Sequence, residues 1–186
     1  MQSQSLIRAV VDAAALRHNL RQVRRTAPDS RVMAVIKANA YGHGLVPAAK
    51  ALAEADGFAV ARLGEGLALR AAGLANRILL LEGVFSAEQL AAAAQARFEL
   101  MVHSVEQLEL LDALTGDAQV TAWIKVDSGM NRLGFRLDEL GAAYERLRRN
   151  EHVHADPTLV THLASADDRR DPQTRQQLEA FAAATS

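Results

Sequence analysis

Apolar residues recur along this chain in two alternating periods. Between residues 12 and 26 they fall at Leu16, Leu20 and Val23, the spacing of one helix face, and Asp12 stands where its carboxylate can cap the first turn. Short β-branched and leucine-rich runs then alternate with helical stretches. Strands are predicted over 31–36, 57–61, 77–81, 98–102, 119–126 and 158–161. Helices are predicted over 46–55, over 64–72 with Gly73 as terminator, over 86–95, over 137–149, and from about Pro172 to the end. Another runs from a Ser104 cap to Leu114, with Glu106 near the reciprocal capping position. A further strand, 6–11, is expected ahead of the first helix.

Regular βα alternation demands a parallel sheet, because each return to the same end of the sheet needs a crossover and the helix supplies it. Counting from Arg31, six strands are each followed by a helix, and the candidate chemistry follows the first, fifth and sixth. Those positions share one face, the C-terminal ends of the strands. An open doubly wound sheet could use six strands as they stand, whereas a closed (β/α)₈ barrel takes about 250 residues. Periodicity alone does not choose between them.

The chain has 186 residues, 49% of them hydrophobic, enough for one sizeable core. Its 21 basic and 22 acidic residues carry no long run of one sign, which argues against nucleic acid as a partner. The absence of cysteine removes disulfides, thiol nucleophiles and thiolate metal sites, and fits a reducing compartment, with the cytoplasm as the expected location. No export signal and no apolar stretch of about 20 residues is present, so no membrane segment is expected. The chain stops at Ser186, in or just after a helix with no capping glycine, which reads as a truncated or partial protein.

Chemistry concentrates in three segments. Segment 35–44 reads Val-Ile-Lys-Ala-Asn-Ala-Tyr-Gly-His-Gly, a strand running into Lys37 and a loop with two glycines. A lysine at a strand end faces a pocket mouth, where desolvation favours the neutral amine that a Schiff base needs. Its bland alternative is a surface lysine. Tyr41 can donate a hydrogen bond without adding charge, or can merely pack. His43 reads as structural. Segment 124–135, Ile-Lys-Val-Asp-Ser-Gly-Met-Asn-Arg-Leu-Gly-Phe, holds Lys125 and Arg132; Lys125 alone could be an inward lysine paired with Asp127. Segment 160–167, Val-Thr-His-Leu-Ala-Ser-Ala-Asp, holds His162, which alone could be a satisfied core residue. A metal site from His162, Asp127, Asp167 and Asp168 is conceivable by ligand type, but the spacing matches no metal motif, so no metal is expected.

These three segments, in this order, resemble alanine racemases, which use pyridoxal 5′-phosphate (PLP) to invert the α-carbon of alanine. The resemblance covers the whole chain and looks like only the N-terminal half of the family's length. It implies a TIM (β/α)₈-type PLP-binding barrel of which residues 1–186 form an incomplete domain of about six βα units, without the family's C-terminal β domain. By the same resemblance, Lys37 is the covalent lysine and one acid/base group, and Tyr41 bonds the PLP phosphate. Lys125 is carbamylated and holds Arg132 against the ring hydroxyl, His162 lies against the ring, and Arg132 and Met130 contact substrate. It also implies a homodimer and a role in supplying D-alanine for cell-wall peptidoglycan.

Two-base racemisation needs a proton acceptor on each face of the carbanion, and the family's second base is a tyrosine from a partner's β domain. This chain has only Tyr41 and Tyr144, and Tyr144 falls on a predicted helix beside Glu145 and Arg146, as a solvated or half-buried aromatic does. The chain is therefore expected to be inactive alone. The alternatives are a non-catalytic PLP-binding barrel, which would not be expected to carry the 125–134 segment, and an inactive racemase fragment acting as an interaction module.

Overall fold

The computed structural model describes residues 9–185. Helix α1 (Ala13–Thr26) precedes β1 (Met33–Val35), the short turn α2 (Lys37–Tyr41) and α3 (Leu45–Ala51). Strand and helix then alternate through β2 (Gly57–Val60), α4 (Leu63–Ala71), β3 (Arg77–Leu80), α5 (Ala87–Gln95), β4 (Glu99–Val102) and α6 (Val105–Asp112). The series closes with β5 (Thr121–Lys125), α7 (Leu140–Arg148), β6 (Thr158–Val160) and α8 (Gln173–Thr185). The strands form one parallel sheet in the order β1-β2-β3-β4-β5-β6. That order decides between the two architectures. A doubly wound sheet reverses direction at a switch point, whereas strands added one after another, with right-handed crossovers, place every helix on the same side, as a barrel requires. The fold is a half-barrel.

The period of two along each strand divides the core. Phe58, Val60, Ile78, Leu80, Leu100, Val102, Ala122 and Ile124 point to the helices and join Leu20, Leu69, Leu90, Leu108 and Leu147 in the main cluster. Their neighbours Ala59, Leu79 and Met101 point to the other side and form a small inner cluster with Met33, Leu81, Trp123 and Val160 packed around it. With both faces covered, β2 and β4 are buried along their whole length. Near the N-terminal ends of the strands the inner face turns polar. The buried Glu99 carboxylate accepts from Arg77 Nη2 at 2.9 Å and from Trp123 Nε1 at 2.8 Å, tying β3, β4 and β5 together in one register.

Helix ends follow their expected chemistry in part. Asp12 Oδ1 accepts from the Ala14 N–H at 2.7 Å, and Ser86 Oγ from the Gln89 N–H at 3.3 Å. Ser104 sits at an N-cap without bonding a backbone N–H. Its hydroxyl faces Glu106 instead and helps to hold that carboxyl below the usual range. Half of the expected strand at 6–11 lies outside the described residues, and Ala9, Val10 and Val11 are not in a strand. Strand β1 ends at Val35, so Lys37 does not extend it but opens the turn that follows. Tyr144 is half-buried against the core, as its helical setting implied.

Candidate functional site at the strand ends

The segment after β1 has a backbone that its sequence does not announce. Ala38, Asn39, Ala40 and Tyr41 all have φ between 52° and 56°, a single turn of left-handed helix built without glycine. L-residues avoid this region because Cβ crowds the following carbonyl oxygen. The turn persists because its ends are tied down. Ala40 N–H donates to Ile36 O at 2.8 Å, Gly44 N–H to Asn39 O at 2.9 Å, and Leu45 N–H to Asn39 Oδ1 at 2.8 Å, which caps α3. His43 Nδ1 meets Ala40 O at 2.8 Å, a structural role as its sequence setting indicated. Glu65, from the first turn of α4, accepts from the Asn39 N–H at 3.3 Å and the Ala61 N–H at 2.9 Å, linking the turn to the end of β2. Lys37 is thereby left partly buried at the head of the turn, and Tyr41 is exposed at its tail.

After β5 the chain loops out and returns. Phe135 N–H donates to Lys125 O and Asp127 N–H to Phe135 O, both at 2.9 Å, so residues 128–134 form a loop closed at its base. Asp127 Oδ1 shapes it by accepting from the N–H groups of Gly129 (3.1 Å) and Asn131 (2.9 Å). Gly134 makes the return possible: with φ +114°, a Cβ there would stand 2.8 Å from Lys125 O and 3.0 Å from Asp127 N. The loop carries Met130 and Arg132 above the end of β5. Lys125 Nζ donates to Val126 O at 2.9 Å rather than to Asp127, whose Oδ1 accepts from backbone.

After β6, Thr161 Oγ1 donates to Val126 O at 3.0 Å and shares a 2.7 Å hydrogen bond with the buried Ser128 Oγ. His162 follows directly. Partial burial lowers its pKa below the ordinary histidine value, and the charges of Arg132, Lys125 and Lys37 lower it further. Burial also lowers that of Lys125, aided by Arg132 and opposed by Asp127. Four of the sequence-predicted groups therefore act on one another electrostatically although 125 residues separate Lys37 from His162. The charges of three cations acting on one imidazole, with Asp127 Oδ1 turned to backbone, favour an anionic guest over a cationic one. Among the described residues no group of three or more His, Cys, Asp or Glu could hold a metal ion, and no helix is long and apolar enough to cross a membrane.

Sequence reasoning did not find Glu65, Ser128, Thr161 or Gln177. Each acts through hydrogen bonds to backbone or to another hydroxyl, and such residues leave no periodic signal.

The half-barrel places the chain in the α/β-barrel class, whose sites lie at the C-terminal ends of the strands, the end at which the candidate residues Lys37, Lys125 and His162 stand. The family profile described as "Alanine racemase, N-terminal domain" matches residues 11–186, and the chain belongs to the alanine racemase family. It is 49% identical over 173 residues to the alanine racemase of Yersinia pestis bv. Antiqua (strain Angola), covering 93% of this chain and 48% of that protein. It is 51% identical over 178 residues to the alanine racemase of Halorhodospira halophila, covering 95% and 49%. The crystal structure of the biosynthetic alanine racemase from Pseudomonas aeruginosa superposes with a TM-score of 0.89 at 45% identity, covering 95% of this chain and 49% of that one. The chain spans about half the length of these relatives.

Proposed function

We propose that residues 1–186 form the cofactor-lysine half of a PLP-dependent racemase that interconverts L- and D-alanine, supplies D-alanine for peptidoglycan, and works in the cytoplasm as a homodimer. The observation that carries this reading is that the segments holding Lys37, Lys125 with Arg132, and His162 all follow strands of one parallel sheet, at the same end of it, in a chain of the alanine racemase family. The donor set fits PLP: one amine for covalent attachment, a phenol at the rim for the phosphate, and a guanidinium and an imidazole for the ring.

When bound, PLP supplies a conjugated ring that withdraws electrons from the substrate α-carbon. The rest falls to the protein. Lys37 Nζ holds the cofactor and moves the α-proton on one face. The Tyr41 hydroxyl would donate toward the phosphate, and His162 would help to hold the ring. Arg132, always protonated, donates toward the ring hydroxyl and the substrate carboxylate, with Met130 beside it. Lys125 is poised for carbamylation: its lowered pKa enlarges the neutral fraction, and attack of that amine on carbon dioxide, with loss of one proton, makes an anion that can hold Arg132. The second base is supplied from outside this half, since Tyr144 is engaged with the core. That requirement supports a second reading, in which the chain binds PLP without racemising.

The test is the absorbance spectrum of the chain with PLP, followed by borohydride reduction and peptide mass mapping. A reduced adduct confined to Lys37, and absent from Lys37→Ala, is the expected result. Scattered labelling of surface lysines would sink the assignment. Racemase activity in the pure 186-residue chain would overturn the need for an external second base.

A further inference from the structure

We infer that Gln177, on the inner side of α8, is a positioning residue that holds His162 and the Ser128–Arg132 loop in one fixed relation. This rests on the proposed cofactor site but not on any contact between Gln177 and a ligand. The side chain is only 1% exposed, and all its hydrogen-bonding partners lie in the two segments that carry the site. Its Nε2 donates to His162 O at 2.9 Å and to Ser128 Oγ at 3.4 Å, and its Oε1 accepts from the Ala164 N–H at 2.9 Å. One amide therefore brackets Leu163 on the backbone, fixing the peptide that leaves His162, and reaches across to the loop after β5. Ser128 and Thr161 close the circuit with their 2.7 Å hydrogen bond. One turn earlier on the same helix, Gln173 Nε2 donates to Gly129 O at 3.3 Å, so two glutamines four residues apart read the same two segments.

A buried amide is costly to leave unpaired, and none of these bonds belongs to a helix or sheet ladder. Segment 161–166 has no regular structure of its own, so the direction of the His162 ring depends on what fixes its peptide. A shape-conserving apolar replacement would keep the packing of α8 and release that peptide.

The deciding experiment follows the His162 imidazole by NMR titration and PLP affinity by equilibrium binding in Gln177→Met. The titration is expected to move up toward an ordinary histidine, because the ring drifts from Lys37, Lys125 and Arg132. The PLP dissociation constant is expected to rise about tenfold, the loss of one orienting contact. Combined with His162→Ala, Gln177→Met should add little further, because its effect passes through that ring. If Gln177→Met does not fold, Gln177→Asn keeps the amide, shortens its reach and gives the same readings. An unchanged His162 titration, or an equal affinity loss with His162→Ala already in place, would reduce Gln177 to a packing residue. If the wild-type chain binds no PLP, the racemase reading falls and the titration alone decides for or against Gln177.

Discussion

Replacing Ala38 by glycine should stabilise this protein or leave it unchanged, whereas the same replacement in an ordinary helix should weaken it. Ala38 is exposed, has φ 52° and ψ 52°, and starts a run of four non-glycine residues in the left-handed region. At about 1–2 kcal/mol per residue, Ala38, Ala40 and Tyr41 store about 3–6 kcal/mol, offset by the hydrogen bonds that Asn39 and Glu65 accept. Removing one Cβ returns about 1–2 kcal/mol, and the looser unfolded chain takes back about 0.4–1 kcal/mol, a net gain of about 0–1.5 kcal/mol. Ala91, exposed on the right-handed α5, is the control: glycine there costs about 1 kcal/mol. The two variants should differ by about 1–2.5 kcal/mol, or several degrees in Tm. Urea denaturation followed by the single tryptophan, Trp123, and by circular dichroism measures this. Equal losses at both positions would refute a left-handed turn at Lys37.

Gly134→Ala should cost about 1–3 kcal/mol and also reduce PLP labelling of Lys37, because the new Cβ meets backbone on either side of Val126 and the Lys125 side chain; unchanged stability would mean that the 128–134 loop returns by another path. Glu99→Gln should change the emission of Trp123 and cost about 1 kcal/mol, since Arg77 is partly exposed and the remaining carbonyl can still accept from the indole; unaltered fluorescence would detach Trp123 from Glu99. The depressed pKa of His162 fixes the sign of a pH effect. The unfolded chain takes up that proton first, so the contribution is present above about pH 6.5 and lost as pH falls through the folded value. Urea midpoints should therefore decline more steeply below about pH 6.5 in the wild type than in His162→Gln, and parallel slopes would contradict the clustering.

Apolar runs and the three-to-four spacing on the helices located every element from α1 onward except α2, because both reflect burial, a one-dimensional property. Strand order is not one-dimensional. Six βα units were compatible with two sheets, and only the pairing of β1 with β2, and so on in series, selected the barrel. Lys37, Lys125, Arg132 and His162 stood out as candidates because each sits in a dense local motif at or just after a strand. The left-handed turn did not, since Ala38, Ala40 and Tyr41 are residues that normally avoid it and the cause lies in Glu65, on another helix. Gln177 was invisible for a related reason: its partners are peptide groups, whose identity does not depend on the side chains they carry.

Lys37 follows the first strand of the sheet and His162 follows the sixth, yet one feels the charge of the other. Five strand pairings lie between them, each adding its share of twist. The gap between these two side chains is therefore a gauge of how far the whole sheet has curled. A small error in any pairing is multiplied at the rim, as at the open ends of a bent spring. The inner tie of Glu99 to Arg77 and Trp123 joins β3, β4 and β5, toward the opposite end of the strands from Lys37 and His162. It restrains those three strands relative to one another, so a residue remote from the candidate site bears on how far apart its two flanks stand.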